Sequence, residues 1–175
     1  GGAAGMVACQ IARNLGCNVY GTAGGADKGA FLEKEFGITA IDYKSENVEE
    51  RLAQIEGGID VYFDNVGGPQ IDAVFPNMAN YGRIAISGLI AEYSGQPTQP
   101  ARFDQILMKR LTVKGFFSPD FADQGARLTE ALKEQYVAGK LDMPFDVTDG
   151  LDNMLTAYTK LFTGGNIGKT LVKLF

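Results

Sequence analysis

Residues 1–28 read GGAAGMVACQIARNLGCNVYGTAGGADK. Four small residues, Gly2, Ala3, Ala4 and Gly5, run directly into an apolar pattern. Val7, Ile11 and Leu15 recur at four-residue spacing and Gly16 follows as a stop, so the spacing predicts a helix with that face inward. A turn without bulky side chains lets backbone N–H groups approach a phosphate, and the helix N-terminus behind it favours an anion. A plain tight turn before a helix has the same residues, so the rest of the chain has to arbitrate.

Outward from this stretch, strand and helix patterns alternate. CNVYGT (17–22) reads as a buried strand, and a helix carrying Phe31, Leu32, Glu35 and Phe36 ends at Gly37. ITAIDY (38–43) is a strand, Ser45 can cap a helix with Val48, Leu52 and Ile55 on one face, and IDVYFD (59–64) is a strand that runs into Gly67, Gly68 and Pro69. A helix through Val74 and Phe75 precedes the strand RIAISG (83–88), and residues 89–100 have the composition of a loop. A helix through Phe103, Ile106 and Leu107 then leads to the strand LTVKGFF (111–117). Strands separated by helices in this way predict an α/β fold with a mostly parallel sheet covered on both faces. Beyond a long helix over 124–138 the pattern changes. KLDMPFDV (140–147) reads as extended, Leu151, Met154, Leu155, Tyr158 and Leu161 mark an amphipathic helix, and KTLVKLF (169–175) reads as a last strand.

Composition limits the function. The 175 residues are 45% hydrophobic with a net charge of −5 and no basic run, which offers nothing to a nucleic-acid backbone or an anionic membrane. No apolar run is long enough for a membrane span and no secretory leader is visible, so a cytoplasmic protein is expected. Cys9 and Cys17 read as small buried hydrophobes. There is no histidine, so the usual zinc and Ser-His-Asp sites cannot be built from this chain alone.

The second strand of an NAD-binding domain usually ends in an acid that holds the ribose hydroxyls and would repel a 2′-phosphate. Ala23 stands there, followed by Gly24, Gly25 and then Lys28, so NADP(H) is favoured over NAD. The alternative for Lys28 is a solvated residue in the first turn of a helix, where the macrodipole disfavours a cation.

GAAGMVACQIA, GTAGGADK, AIDYKSEN, IDVYFDNVGG, ISGLIAEY and GGNIGK occur in that order over nearly the whole chain. In these segments the sequence resembles the zinc-independent medium-chain dehydrogenase/reductases. The likeness is to their NADPH-dependent enone reductases, the leukotriene B4 dehydrogenase, prostaglandin reductase and curcumin reductase group. The resemblance implies a Rossmann-type doubly wound parallel sheet of order 3-2-1-4-5-6, whose first strand is missing from this chain, plus a C-terminal piece of a β-rich catalytic domain. The expected division is an NADP-binding domain over 1–140 and a segment over 141–175 that returns to the catalytic domain.

It further implies that Gly2, Ala3, Ala4 and Gly5 hold the pyrophosphate, that Lys28 and Tyr43 hold the 2′-phosphate, and that Gly24, Asn65, Ser87, Gly88, Phe116 and Asn166 also bind cofactor. Tyr93 is implied to face the nicotinamide ribose and the substrate carbonyl, and no metal is expected. From the residues alone, Tyr93 could equally be an exposed loop tyrosine and Tyr43 a packing residue. Asn65 and Asn166 could be present because asparagine tolerates left-handed backbone.

The implied reaction is reduction of the C=C bond of an α,β-unsaturated aldehyde or ketone. The alternatives are a quinone reductase and a non-catalytic NADP-binding module. Family dimers pair through the strand at 111–117. Because family members carry a catalytic domain and a first strand ahead of residue 1, the chain is expected to be a C-terminal part of a longer protein. The slot of the missing strand should then be filled by another segment, closed by its neighbours, or occupied by preceding residues.

Overall fold

The computed structural model describes residues 1–96 and 100–175, so part of the loop expected over 89–100 lies outside the described residues. The chain forms two compact units, Gly1–Ser45 with Ala126–Phe175, and Glu46–Gly125.

In the first unit, α1 (Ala3–Asn14), β1 (Tyr20–Ala23), α2 (Ala26–Phe36) and β2 (Thr39–Asp42) follow in order. They are joined from the C-terminal side by α6 (Gly125–Val137), β6 (Phe145–Asp149), α7 (Met154–Thr163) and β7 (Lys169–Lys173). β1 pairs with β2 in parallel, Tyr20 opposite Thr39 through Ala23 opposite Asp42. β6 pairs with β7 in parallel from Phe145 opposite Lys169 to Asp149 opposite Lys173. Met6, Ala23, Leu32, Phe36 and Ile38 form the core, with Cys9, Val19, Phe31 and Ile167 packed against it. α2 stops where expected: Gly37 has φ 61°, and its N–H donates to Glu33 O at 2.9 Å.

The inward face of α1 is not the expected one. Leu15 is 78% exposed, whereas Met6 and Gln10 are each 1% exposed. Gln10 can be buried because both ends of its amide are paired: Nε2 donates to Asp142 O at 2.8 Å and Oε1 accepts from Asp142 N at 2.8 Å. A backbone-like double hydrogen bond thus ties α1 to the segment leading into β6. The first strand also starts later than expected, at Tyr20, and leaves Cys17 exposed rather than buried. Cys9 is half-buried, and burial pushes its thiol above the ordinary value.

In the second unit, α3 (Val48–Leu52), β3 (Ile59–Asp64), α4 (Pro69–Val74), β4 (Met78–Ile86), α5 (Asp104–Met108) and β5 (Thr112–Gly115) alternate. The sheet is parallel throughout, in the order β3-β4-β5. Leu52, Ile71, Val74, Phe75, Met78, Ile84 and Leu111 are buried. α3 is shorter than the apolar spacing predicts and ends before Ile55. Its cap is Asn47, whose side chain accepts from Glu50 N at 3.3 Å, while the Ser45 hydroxyl goes to Asp42 instead.

The parallel pairing of β1 with β2, and of β3, β4 and β5 in that order, agrees with the expected α/β class with parallel sheets. Among the described residues these are separate sheets, and no further strand pairs with either of them. The long helix expected over 124–138 begins at Gly125, after a 3-10 turn over Ser118–Gln124. The extended segment becomes a strand only at Phe145. α7 forms, but its apolar stripe of Met154, Leu155, Tyr158 and Leu161 is exposed and its buried residue is the small Ala157, which suits close packing on β7. Among the described residues no helix is long and apolar enough to cross a membrane.

The Gln10 clamp predicts an asymmetry in stability. Gln10→Ala strands the N–H and C=O of Asp142 and should cost about 1–3 kcal/mol. Leu15→Ser, one turn on, should stay within about 0.5 kcal/mol. Urea denaturation of both variants checks this, and equal effects would contradict it.

Candidate cofactor site

The N-terminus of α1 is unadorned. Gly2 is the cap residue with extended backbone (φ −88°, ψ 169°), no side chain caps the helix, and the first turn carries no acid. Gly2 forms an isolated parallel bridge with Gly168, whose N–H donates to Gly1 O at 3.2 Å. A Cβ added at Gly2 or Gly5 would meet nothing within 4 Å. The packing of the chain itself therefore does not demand glycine at either position. The small residues keep a helix terminus open, with the N–H groups of its first turn free of any side-chain cap, which is the arrangement an anion requires.

A second cluster lies where β1 and β2 end. Asp42, the last residue of β2, is a hub: Oδ1 accepts from Gly25 N at 2.8 Å and Lys44 N at 3.0 Å, and Oδ2 accepts from Ser45 Oγ at 2.8 Å. These bonds hold its carboxyl below the usual carboxylate value, with the Gly25 and Lys44 amides the leading causes. The hub binds the turn after β1 to the turn after β2. Between them sits Gly24, where a Cβ would lie 2.6 Å from the Tyr43 hydroxyl and 2.9 Å from Lys44 Cε. Tyr43 is thus drawn over Gly24, and its hydroxyl also lies 3.4 Å from the Cβ position of Gly164.

Lys28 is not the solvated first-turn lysine that its sequence context allows. It is 8% exposed, and Nζ donates to Gly164 O at 2.7 Å. Burial pushes its ammonium pKa down, Lys44 pushes the same way, and Asp146 pulls it back. Asn166 is also buried and donates from Nδ2 to Gly168 O at 3.0 Å. Gly24, Lys28, Tyr43 and Asn166 therefore all belong to the first unit, together with Gly2, Ala3, Ala4 and Gly5.

The second unit carries the other candidates. Asp64 ends β3 with 0% exposure, and its Oδ1 accepts from Val66 N at 2.9 Å, Gly67 N at 2.9 Å and the Tyr62 hydroxyl at 3.0 Å. Burial, reinforced by the neighbouring Asp64 carboxylate, raises the Tyr62 phenol well above its ordinary value. Ser87 N donates to Asp64 O at 2.7 Å and Ala91 N to Val66 O at 3.0 Å, so the exits of β3 and β4 stay paired beyond the strands. Asn65 lies against Gly88 so closely that a Cβ there would overlap Asn65 Oδ1. Asn65, Ser87 and Gly88 are thereby brought together at the C-terminal ends of parallel strands, where ligands of such sheets bind. Phe116 extends the β5 ladder through its N–H to Ile86 O at 2.8 Å and stacks on Phe121 at 4.7 Å. Tyr93 stands on a 3-10 turn over Ile90–Ser94 and is 79% exposed.

Neither asparagine is there for left-handed backbone. Among the described residues the only non-glycine positions with positive φ are Tyr81 and Arg110. Residues that sequence reasoning missed are Asp42, Lys44, Asp64 and Gly164. An aspartate at the last position of a strand, just before a turn, was the available signal for two of them.

A family described as zinc-binding dehydrogenase matches residues 3–148. The chain is 39% identical over 98% of its length to a 2-alkenal reductase (NADP(+)-dependent) of Nicotiana tabacum, of which it covers 51%. It is 38% identical over 98% of its length to prostaglandin reductase 1 of Bos taurus, of which it covers 54%. The crystal structure of CurA in complex with NADPH from Vibrio vulnificus superposes with a TM-score of 0.85 at 35% identity, over 99% of this chain and 56% of that one. The chain spans about half the length of the curated relatives it matches.

The Asp42 hub has a pH signature. Its folded pKa is depressed from the ordinary value of 3.8, so its stabilisation is present above that value and is lost as pH falls through the lower folded one. Asp42→Ala should therefore be less stable than the parent at neutral pH, and the gap should narrow progressively as pH falls below about 3.8. Thermal melts of both proteins across pH 2–7 check this, and a gap independent of pH would contradict it.

Proposed function

The chain belongs to the zinc-binding dehydrogenase family, and from that premise we propose that the protein it forms is an NADPH-dependent oxidoreductase that reduces the C=C bond of α,β-unsaturated aldehydes and ketones. The observation that carries the cofactor choice is the cluster at the end of β1. Ala23 stands where an NAD-type acid would be, the Tyr43 hydroxyl lies over Gly24, and Lys28 is buried with its ammonium on Gly164 O, beside which the same hydroxyl lies. The similarity to an NADP(+)-dependent 2-alkenal reductase supports the substrate class.

In this reading the first unit holds the phosphorylated end of the cofactor. The open terminus of α1, Gly2 to Gly5, receives the pyrophosphate, Lys28 and Tyr43 receive the 2′-phosphate, Gly24 permits close approach, and Asn166 contributes from the C-terminal loop. In the second unit Asn65, Ser87, Gly88 and Phe116 line the nicotinamide end. When bound, the cofactor supplies the hydride. Tyr93 then acts on the substrate: its phenol donates a hydrogen bond to the carbonyl oxygen, which becomes an enolate oxygen as the β-carbon is reduced. A neutral hydroxyl donor suits that task, since it can hydrogen-bond to the developing oxyanion.

The same reading places the protein in the cytoplasm, with residues 1–140 as its NADP-binding domain and 141–175 returning to a catalytic domain. It also makes the protein a homodimer through residues 111–117, where β5 ends its sheet and Phe116 and Phe117 are exposed.

Two measurements on the full-length protein test the proposal. Lys28→Ala should reduce the NADPH-to-NADH ratio of kcat/KM about tenfold to a hundredfold, the worth of one charge-assisted contact. Tyr93→Phe should lower kcat for a medium-chain enone about a hundredfold while leaving NADPH binding within about twofold, because the lost donor acts in the transition state. An unchanged kcat would return Tyr93 to an exposed loop tyrosine, and NADPH oxidation by quinones alone would overturn the substrate class.

A further inference from the structure

We propose that Lys44 is a second cation for the ribose 2′-phosphate and acts jointly with Lys28 in setting the preference for the phosphorylated cofactor. This rests on the reading of the β1–β2 turn cluster as an NADP site and deepens it.

The backbone of Lys44 is held in place. Its N–H shares Asp42 Oδ1 with the N–H of Gly25, at 3.0 and 2.8 Å, so the lysine and the glycine turn are fixed to one atom. Its side chain runs back over that turn, since the Cβ position of Gly24 is 2.9 Å from Lys44 Cε and 2.6 Å from the Tyr43 hydroxyl. A lysine stem and a phenol thus share the concavity that the missing Cβ leaves. Lys44 lies near enough to Lys28 to weaken proton binding there, although both are cations in a folded protein where such pairs are disfavoured.

The neighbouring carboxylates attract these ammonium groups, Asp42 that of Lys44 and Asp146 that of Lys28, while each also holds hydrogen-bond partners of its own. Asp42 serves Gly25, Lys44 and Ser45 through their N–H and O–H groups, and Asp146 pairs with Lys160 at 2.8 Å. Lys28 spends one of its three N–H donors on Gly164 O. A phosphate monoester carries about −1.5 to −2 charge at pH 7 and three acceptor oxygens. One buried, partly engaged ammonium leaves roughly one charge of that group uncompensated, and Lys44 supplies it. The like-charge repulsion between the lysines in the free protein becomes attraction for the shared anion. Lys44 is exposed, so it can reach the phosphate without the desolvation that Lys28 has already undergone.

The test is calorimetric binding to the full-length protein, with adenosine 2′,5′-bisphosphate, 5′-AMP and inorganic phosphate as probes. The proteins compared are the parent, Lys44→Gln, Lys44→Arg and Lys28→Ala. The parent should prefer the bisphosphate to 5′-AMP. Lys44→Gln should cut that preference about tenfold with 5′-AMP binding unchanged, which also shows that the variant is folded, and Lys44→Arg should keep most of it. A Lys44→Gln protein with the parent's preference, where Lys28→Ala loses it, would overturn the role of Lys44 and leave the NADP site standing. A parent with no preference would overturn both. Inorganic phosphate bound as tightly as the bisphosphate, and weakened by the same variants, would make this a free-phosphate site and overturn the ribose assignment.

Discussion

The turn cluster of the first unit depends on one carboxylate. Asp42 sits at the last position of β2 and has no chemistry of its own to perform, yet Gly25, Lys44 and Ser45 all donate to it. Turns after parallel strands have backbone groups with no ladder to pair with, and unpaired groups are costly once solvent is excluded. A side-chain carboxylate with two oxygens and several lone pairs can serve more of them than a backbone carbonyl can. By doing so it fixes the relative positions of Gly24, Tyr43 and Lys44. The cation cluster is precise because an anion behind it organises the backbone, not because the cations are themselves tightly packed.

The second unit repeats the device. Asp64 ends β3 as Asp42 ends β2, and its Oδ1 gathers the N–H groups of Val66 and Gly67 together with the Tyr62 hydroxyl. Its main-chain oxygen receives Ser87 N, which carries the parallel pairing past the ends of β3 and β4. The two aspartates differ in burial, Asp64 being fully enclosed and Asp42 partly open. That difference fits their neighbours: backbone and a phenol around Asp64, and an exposed turn carrying Lys44 around Asp42. In both cases a strand-final acid converts a glycine-containing turn from a flexible connection into a fixed platform.

Part of the candidate site was expected from the residues themselves: the small residues Gly2 to Gly5 ahead of a helix, and Lys28 behind two glycines with no acid at Ala23. Tyr43, Asn65, Tyr93 and Asn166 were expected only through the family resemblance, because from the residues alone each also reads as a packing, loop or turn residue. The supporting contacts were not expected. Gln10 reads as one polar residue among the apolar ones of a helix, and only its double hydrogen bond to Asp142, 132 residues away, makes it core. Lys28 reads as a surface residue until Gly164 O, 136 residues on, is placed against it. Contacts across such separations leave no local pattern, since periodicity reports which face of an element is buried and not what meets it.

The sequence by itself determined the alternation of strands and helices, the parallel pairing that alternation imposes, the glycine stop of α2 and the absence of an acid after β1. Each of these follows from local sterics, capping or charge within a few residues. Tertiary structure alone decided which face of α1 turns inward, that α7 presents its apolar stripe to the outside of its unit, and that Lys28 is buried with its ammonium on a distant carbonyl. For α1 and for Lys28 the physical reason is the same. Whether a polar group is stable in the interior depends on a partner, and the partner's position is set by the folding of the whole chain.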